Sequence, residues 1–163
     1  MQKKIIRNKI IGKILFLSGL PGSGKTSIGK KLKKILEKKK IKSIHLDGDE
    51  LRLILNNFKY SKKERIKLSL IYLRLAEKLI NDTDIIILTT VSLFREIERY
   101  NEKKNGIYTF FIVKKFKKKN KIKEKIKKLY ESKISYYLPR KSKKIIFNHS
   151  IKKSAEEILE TFS

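Results

Sequence analysis

Gly19-Leu20-Pro21-Gly22-Ser23-Gly24-Lys25-Thr26, with Ser27 behind it, fits the pattern G-x-x-x-x-G-K-[ST] at every fixed position. The spacing suits one chemistry. Glycines let successive backbone N–H groups turn inward around an anion, and a helix opening at Lys25 adds the positive end of its dipole. In that setting Lys25 reaches the β- and γ-phosphates of a nucleoside triphosphate, and the Thr26 hydroxyl falls to a Mg²⁺ ion. A glycine-rich turn can match the pattern and do nothing. Context separates the two readings, because a working loop needs a strand before it and a helix after it. Here Lys13-Ile-Leu-Phe-Leu-Ser18 reads as a buried strand, and Ile28, Leu32, Ile35 and Leu36 recur behind the loop at helical spacing.

A second cluster, Asp47-Gly-Asp49-Glu-Leu-Arg52, follows a second short strand, Lys42-Ser-Ile-His-Leu46. Asp47 at the strand tip would lie near the γ-phosphate, where a carboxylate orients metal-bound water or accepts a hydroxyl proton. Asp47 and Lys25 are therefore the expected catalytic pair, and Thr26 with Asp47 the expected metal pair. Arg52 would point from a short helix at an anionic substrate, with Asp49 beside it. The bland alternative is a tight Asp-Gly turn with Asp49 as a helix N-cap. The third strand ends in Thr89-Thr90 with no aspartate, where many nucleotide hydrolases of this kind hold their metal. That argues against a motor ATPase or GTPase and for a small-molecule kinase. His45 is expected to be packed or half exposed, and His149 to lie at the surface.

The elements that must position these residues alternate. Strands are read at 13–18, 42–46, 84–90, 107–113 and 144–147. Helices are read at 25–39, 50–55, from Ser61 onward, at 94–104 up to a cap at Gly106, and at 154–162. Ser61 with Glu64 reads as a capping box, and the helix behind it as a stripe of Leu68, Ile71 or Tyr72, Leu75 and Leu79. Strands and helices in alternation with short joins predict an α/β three-layer sandwich: a five-stranded, mostly parallel sheet with helices on both faces. Ligands then sit at the carboxyl ends of the strands. One domain over 1–163 is expected, with a Lys-rich lid region at about 114–140.

The chain has no cysteine, which excludes a disulfide framework, a cysteine zinc site and a cysteine nucleophile. No apolar run is long enough to cross a membrane, and a cytoplasmic location is expected. The formal charge of +27 raises a nucleic-acid reading. Only seven of the 43 basic residues are Arg, the side chain that base readout favours, and the Lys is spread over the whole chain with Ile and Asn. Drift in an A+T-rich genome and solvated faces explain it better. A basic nucleic-acid binder with a vestigial loop stays as the rival from another class.

With these residues in view, the chain resembles the adenylyl-sulfate kinases. The phosphate loop is similar to theirs. His45-Leu-Asp-Gly-Asp-Glu-Leu-Arg52 is similar to their Leu-Asp-Gly-Asp-x-x-Arg, and Tyr60-Ser-x-x-Glu-Arg65 to their Phe-Ser-x-x-Asp-Arg. Lys127-Lys-Leu-Tyr130 resembles the lid sequence Lys-Gly-Leu-Tyr. The resemblance runs from about residue 12 to 130. It implies ATP and Mg²⁺ as cofactors, a small nucleotide as substrate, and a substrate side built from Asp49, Arg52, Tyr60, Arg65, Ser92 and Lys127. A homodimer is also compatible with it. Departures fall on the substrate side: Leu68 replaces an Asn, Val91-Ser-Leu93 replaces Ile-Ser-Pro, and the stretch beyond Tyr130 is short. Ser92-Leu-Phe94 with Tyr100-Asn101 resembles a branch thought to phosphorylate capsule-precursor nucleotides such as cytidine diphosphoramidate. The expected acceptor is adenylyl sulfate first and that nucleotide second.

Overall fold

The short apolar runs become strands because each is covered on both sides, the condition under which a parallel strand reads as continuously hydrophobic. The computed structural model describes residues 10–114 and 145–162. Beyond Lys114, the expected lid region lies outside them, and so does Lys127. The strands are β1 (Lys13–Gly19), β2 (Ser43–Asp47), β3 (Ile85–Thr90), β4 (Ile107–Lys114) and β5 (Ile145–Asn148). The helices are α1 (Lys25–Lys38), α2 (Gly48–Ile54), α3 (Lys62–Leu79), α4 (Arg95–Glu102) and α5 (Ile151–Glu160). The sheet order is β2-β3-β1-β4-β5, and all four pairings are parallel.

β1 is the central strand, buried from Ile14 to Gly19. Ile28, Leu32 and Leu36 of α1 pack with Ala155, Ile158 and Leu159 of α5 over Leu15, Leu17, Ile85, Ile87, Phe110 and Ile112. On the other face, Leu51 of α2, Leu68, Tyr72 and Leu73 of α3, and Ile97 of α4 cover Phe16, Leu88 and Phe111. This is the three-layer sandwich. After β3 the chain crosses beyond β1 to form β4, so the strand order reverses at the carboxyl end of β1. A crevice forms at such a switch point.

Local differences from the sequence reading have physical causes. In α3 the buried positions are Leu68, Ser69, Tyr72, Leu73 and Ala76, whereas the expected Leu75 is 37% exposed. The small residues Ser69 and Ala76 face inward and let the helix approach the sheet. A reading weighted to large apolar side chains turns the stripe the wrong way. The capping box is half made. Ser61 Oγ accepts the Glu64 N–H at 3.3 Å, but the Glu64 carboxylate accepts from Asn57 Nδ2 at 2.8 Å instead of turning back. The last helix opens before Ser154. Ser150 is its N-cap, accepting from the Lys153 N–H, and the Ser154 hydroxyl bonds Asn148 Oδ1 at 3.3 Å.

Candidate active site

The loop leaves β1 at Gly19 and enters α1 at Lys25. Gly24 has φ +94°, a left-handed conformation that costs a residue with a Cβ. A Cβ there would also lie within van der Waals radii of Asn148 Nδ2. No side chain caps the first turn of α1 and no acidic residue stands in it. By contrast α2, α3 and α5 are capped by Asp47, Ser61 and Ser150. The uncapped N–H groups of α1 are thus left to the cleft, as an anion site requires.

Lys25 is 8% exposed, and its Nζ donates to the Leu20 carbonyl at 2.9 Å. Burial pushes the ammonium from its ordinary 10.5 down to about 8, although the nearby Asp49 and Asp47 charges pull the other way. A desolvated cation of this kind favours an arriving phosphate.

Asp47 is the most heavily bonded side chain of the site. Its Oδ1 accepts the N–H groups of Asp49 and Glu50 at 3.0 and 3.4 Å, so it is the N-cap of α2. Asp49, the cap in the bland alternative, lies inside the helix instead. Asp47 Oδ2 accepts the Thr26 hydroxyl at 2.6 Å and the Thr89 hydroxyl at 2.8 Å. Burial alone would raise this carboxyl. The bonds from Thr26, Thr89 and the two backbone N–H groups outweigh it and hold Asp47 below the ordinary carboxylate range. It is ionised at neutral pH and a weak base.

The substrate-side residues converge less evenly. Arg52 and Arg65 both lie over the Tyr60 ring, with Cζ 4.6 and 5.1 Å from its centroid. Arg52 Nη1 also ties down the loop, donating to the carbonyls of Asn57 and Lys59 at 3.2 and 2.9 Å. Arg65 Nε donates to the Tyr60 carbonyl at 3.1 Å. One open cleft of about 370 Å³ is lined by Pro21, Gly22, Gly24, Lys25, Thr26 and Ser27 of the loop, by Asp47 and Asp49, and by Arg52, Tyr60 and Arg65. Gly19, Leu20 and Ser23 do not line it. Ser92 is not brought to the cleft. It is 4% exposed and lines a small separate cavity with Ser18, Phe94 and Asn101.

Sequence reasoning missed Thr89 and Asn148. In the sequence Thr89 stands out only for not being an aspartate. Asn148 donates from Nδ2 to the Ser23 carbonyl at 2.9 Å, across 125 positions of sequence, and no local pattern announces such a contact.

The donor set also bears on a metal. Thr26 gives its one hydroxyl proton to Asp47, which leaves its oxygen lone pairs for a cation, and both groups are hard oxygens of the kind Mg²⁺ takes. Among the described residues no cluster of three or more His, Cys, Asp or Glu could hold a metal alone. Mg²⁺ fits such a site, since it usually keeps several waters and leans on substrate phosphates.

The sequence profile of the family described as adenylylsulphate kinase matches residues 11–134, which takes in the loop, Asp47 and the Arg52–Tyr60–Arg65 cluster. The chain belongs to the adenylylsulphate kinase family. Within it, the chain is 42% identical over 100 residues to a cytidine diphosphoramidate kinase of Campylobacter jejuni, covering 61% of this chain and 59% of that protein. It is 37% identical over 84 residues to an adenylyl-sulfate kinase of Staphylococcus carnosus, covering 51% of this chain and 42% of that one. The matches span about half the length of these curated relatives. The APS kinase of Mycobacterium tuberculosis in complex with AMPPNP and APS superposes with a TM-score of 0.75 at 22% identity, covering 92% of this chain and 96% of the other. At that identity the likeness speaks for the fold. Among the described residues no helix is long and apolar enough to cross a membrane.

Proposed function

We propose that this member of the adenylylsulphate kinase family transfers the γ-phosphoryl group of ATP to a hydroxyl of a small anionic nucleotide. The carrying observation is the short bond between Thr26 Oγ1 and Asp47 Oδ2. It locks the phosphate loop of β1 to the carboxylate of β2 on the wall of one cleft. The backbone N–H groups of the loop and Lys25 would hold the triphosphate tail, with its γ-phosphoryl toward Asp47. Thr26 and Asp47 would hold Mg²⁺, which when bound neutralises charge on the phosphate oxygens.

The acceptor hydroxyl would attack in line with the leaving ADP. Its oxygen bonds to phosphorus as the bond to the bridging oxygen breaks, and its proton passes to water as transfer completes. Phosphoryl transfer passes through a loose transition state and needs little from a base. An ionised, four-bonded Asp47 suits that demand as an orienting charge rather than a proton store. Arg52 and Arg65 would hold the acceptor's anionic group, and the half-exposed Tyr60 would border its base.

Two acceptors compete. The Leu-Asp-Gly-Asp-x-x-Arg likeness supports adenylyl sulfate. The 42% identity with the Campylobacter kinase, with Val91-Ser-Leu93 following β3 where the adenylyl-sulfate kinases carry Ile-Ser-Pro, favours cytidine diphosphoramidate. ADP release measured with each nucleotide in turn decides between them. One of the two should raise ATP consumption well above the acceptor-free rate. If neither does, the nucleotide-kinase reading fails.

A further inference from the structure

Thr89 stands at the end of β3 and is 1% exposed. Its hydroxyl lies 2.8 Å from Asp47 Oδ2 on one side and 2.8 Å from His45 Nε2 on the other. A hydroxyl has one proton to give and lone pairs with which to accept. A carboxylate offers acceptor oxygens, and Asp47 Oδ2 takes the Thr89 hydroxyl as it takes that of Thr26. The Thr89 proton therefore goes to Asp47, and the Thr89 oxygen accepts from His45. That requires a hydrogen on His45 Nε2. The order of donation is His45 to Thr89 to Asp47, and the Thr26 hydroxyl bonds the same carboxylate oxygen.

The surroundings are shaped to this order. β2 pairs with β3 so that Asp47 stands opposite Thr89, and His45, two residues back, falls on the same face of the sheet. Helix α1 runs over that face and carries Gly29 there. A Cβ at Gly29 would lie 2.6 Å from His45 Nε2 and 2.9 Å from Thr89 Cγ2. Any larger residue would push the ring away from the hydroxyl. An interior glycine costs a helix stability relative to alanine. Its presence two residues past the loop's last functional position has a reason in this contact.

We propose that His45 is a positioning residue of the phosphoryl-transfer site: acting through Thr89, it holds the Asp47 carboxylate in the rotamer that presents Oδ2 to Thr26. The catalytic part of this rests on the reading given under Proposed function, whereas the order of donation does not. Partners that orient a metal-site carboxylate are commonly worth tenfold or more in activity.

The test has two arms. Long-range ¹H–¹⁵N spectra of the nucleotide-free protein, assigned with a His149→Gln variant, should show His45 as the Nε2–H tautomer. The Nδ1–H tautomer would overturn the proposal whether or not the chain is a kinase. In the kinetic arm, His45→Leu should lower kcat about tenfold or more and leave the acceptor KM unchanged. His45→Gln, which keeps an N–H near the place of Nε2, should stay within about threefold of the parent. Thr89→Val should repeat the loss, and adding His45→Leu to it should cost nothing further, because both cut one chain of bonds. A Gln variant as slow as the Leu variant, or losses that simply add, would also overturn the proposal. A parent chain without acceptor-dependent ADP release would count against the kinase reading alone, and the tautomer would still decide the donation order.

Discussion

At the scale of single residues, the site moves the titration of a cation and an anion away from their values in water, by different means. Lys25 is desolvated, and the fall from 10.5 to about 8 amounts to about 3 kcal/mol. The sign follows from proton counts. Between pH 8 and 10.5 the unfolded chain holds a proton at Lys25 that the folded chain has lost, so stability rises with pH across that window. Below pH 8 the whole cost is present. Lys25→Met should therefore stabilise the nucleotide-free protein at pH 7, by an advantage that shrinks as pH climbs from 8 to 10.5. Urea denaturation at a series of pH values checks this. The same substitution should lower phosphoryl transfer by at least about 100-fold, since it removes charge aimed at the phosphates. Asp47 runs the other way. Its stabilising bonds need the ionised form, so their contribution is present above its ordinary value of 3.8 and is lost as pH falls through its lower folded value. Arg52 carries two duties, over Tyr60 and on the carbonyls of Asn57 and Lys59. Arg52→Ala should raise the acceptor KM more than it lowers kcat, as steady-state kinetics would report.

At the scale of elements, the capping residues set where the site's helices begin. Ser61 accepts the Glu64 N–H without the reciprocal bond from Glu64. Ser61→Ala should cost about 1 kcal/mol, read as a lower denaturation midpoint with an unchanged slope. The strands were legible in the residues because each is a short, largely apolar run, and the two that feed the site end at Gly19 and Asp47. The phosphate loop was legible because its chemistry depends on backbone geometry that only certain spacings allow. The inward face of α3 was not, because Ser69 and Ala76 pack there by being small and leave Leu75 outside. Nor was the start of α5, since Ser150 and Ser154 offer equal local claims to a cap and only Asn148 distinguishes them. Thr89 escaped for the same reason. Its role is fixed by His45 and Asp47, which are more than 40 residues away in sequence.

At the scale of the whole molecule, the order β2-β3-β1-β4-β5 brings three distant stretches to one edge. The loop follows β1, the carboxylate ends β2, and Asn148 ends β5 with its amide on the Ser23 carbonyl. That last bond couples the C-terminal strand and helix to the phosphate loop. Asn148→Ala should raise the KM for ATP about three- to tenfold with little change in kcat, the size of one lost hydrogen bond. The charge of +27 makes a separate expectation. Any retention on a polyanion column should fall steeply with salt and be unaffected by Lys25→Met, because it would come from dispersed lysines rather than from the cleft. The most direct measurement is single-turnover phosphoryl transfer by Asp47→Asn at saturating ATP and Mg²⁺, beside the parent and with the better of the two nucleotide acceptors. Transfer slowed by about 100-fold or more, with ATP still bound, is what a carboxylate facing the loop across the γ-phosphoryl requires. Transfer at the parent's rate would contradict it.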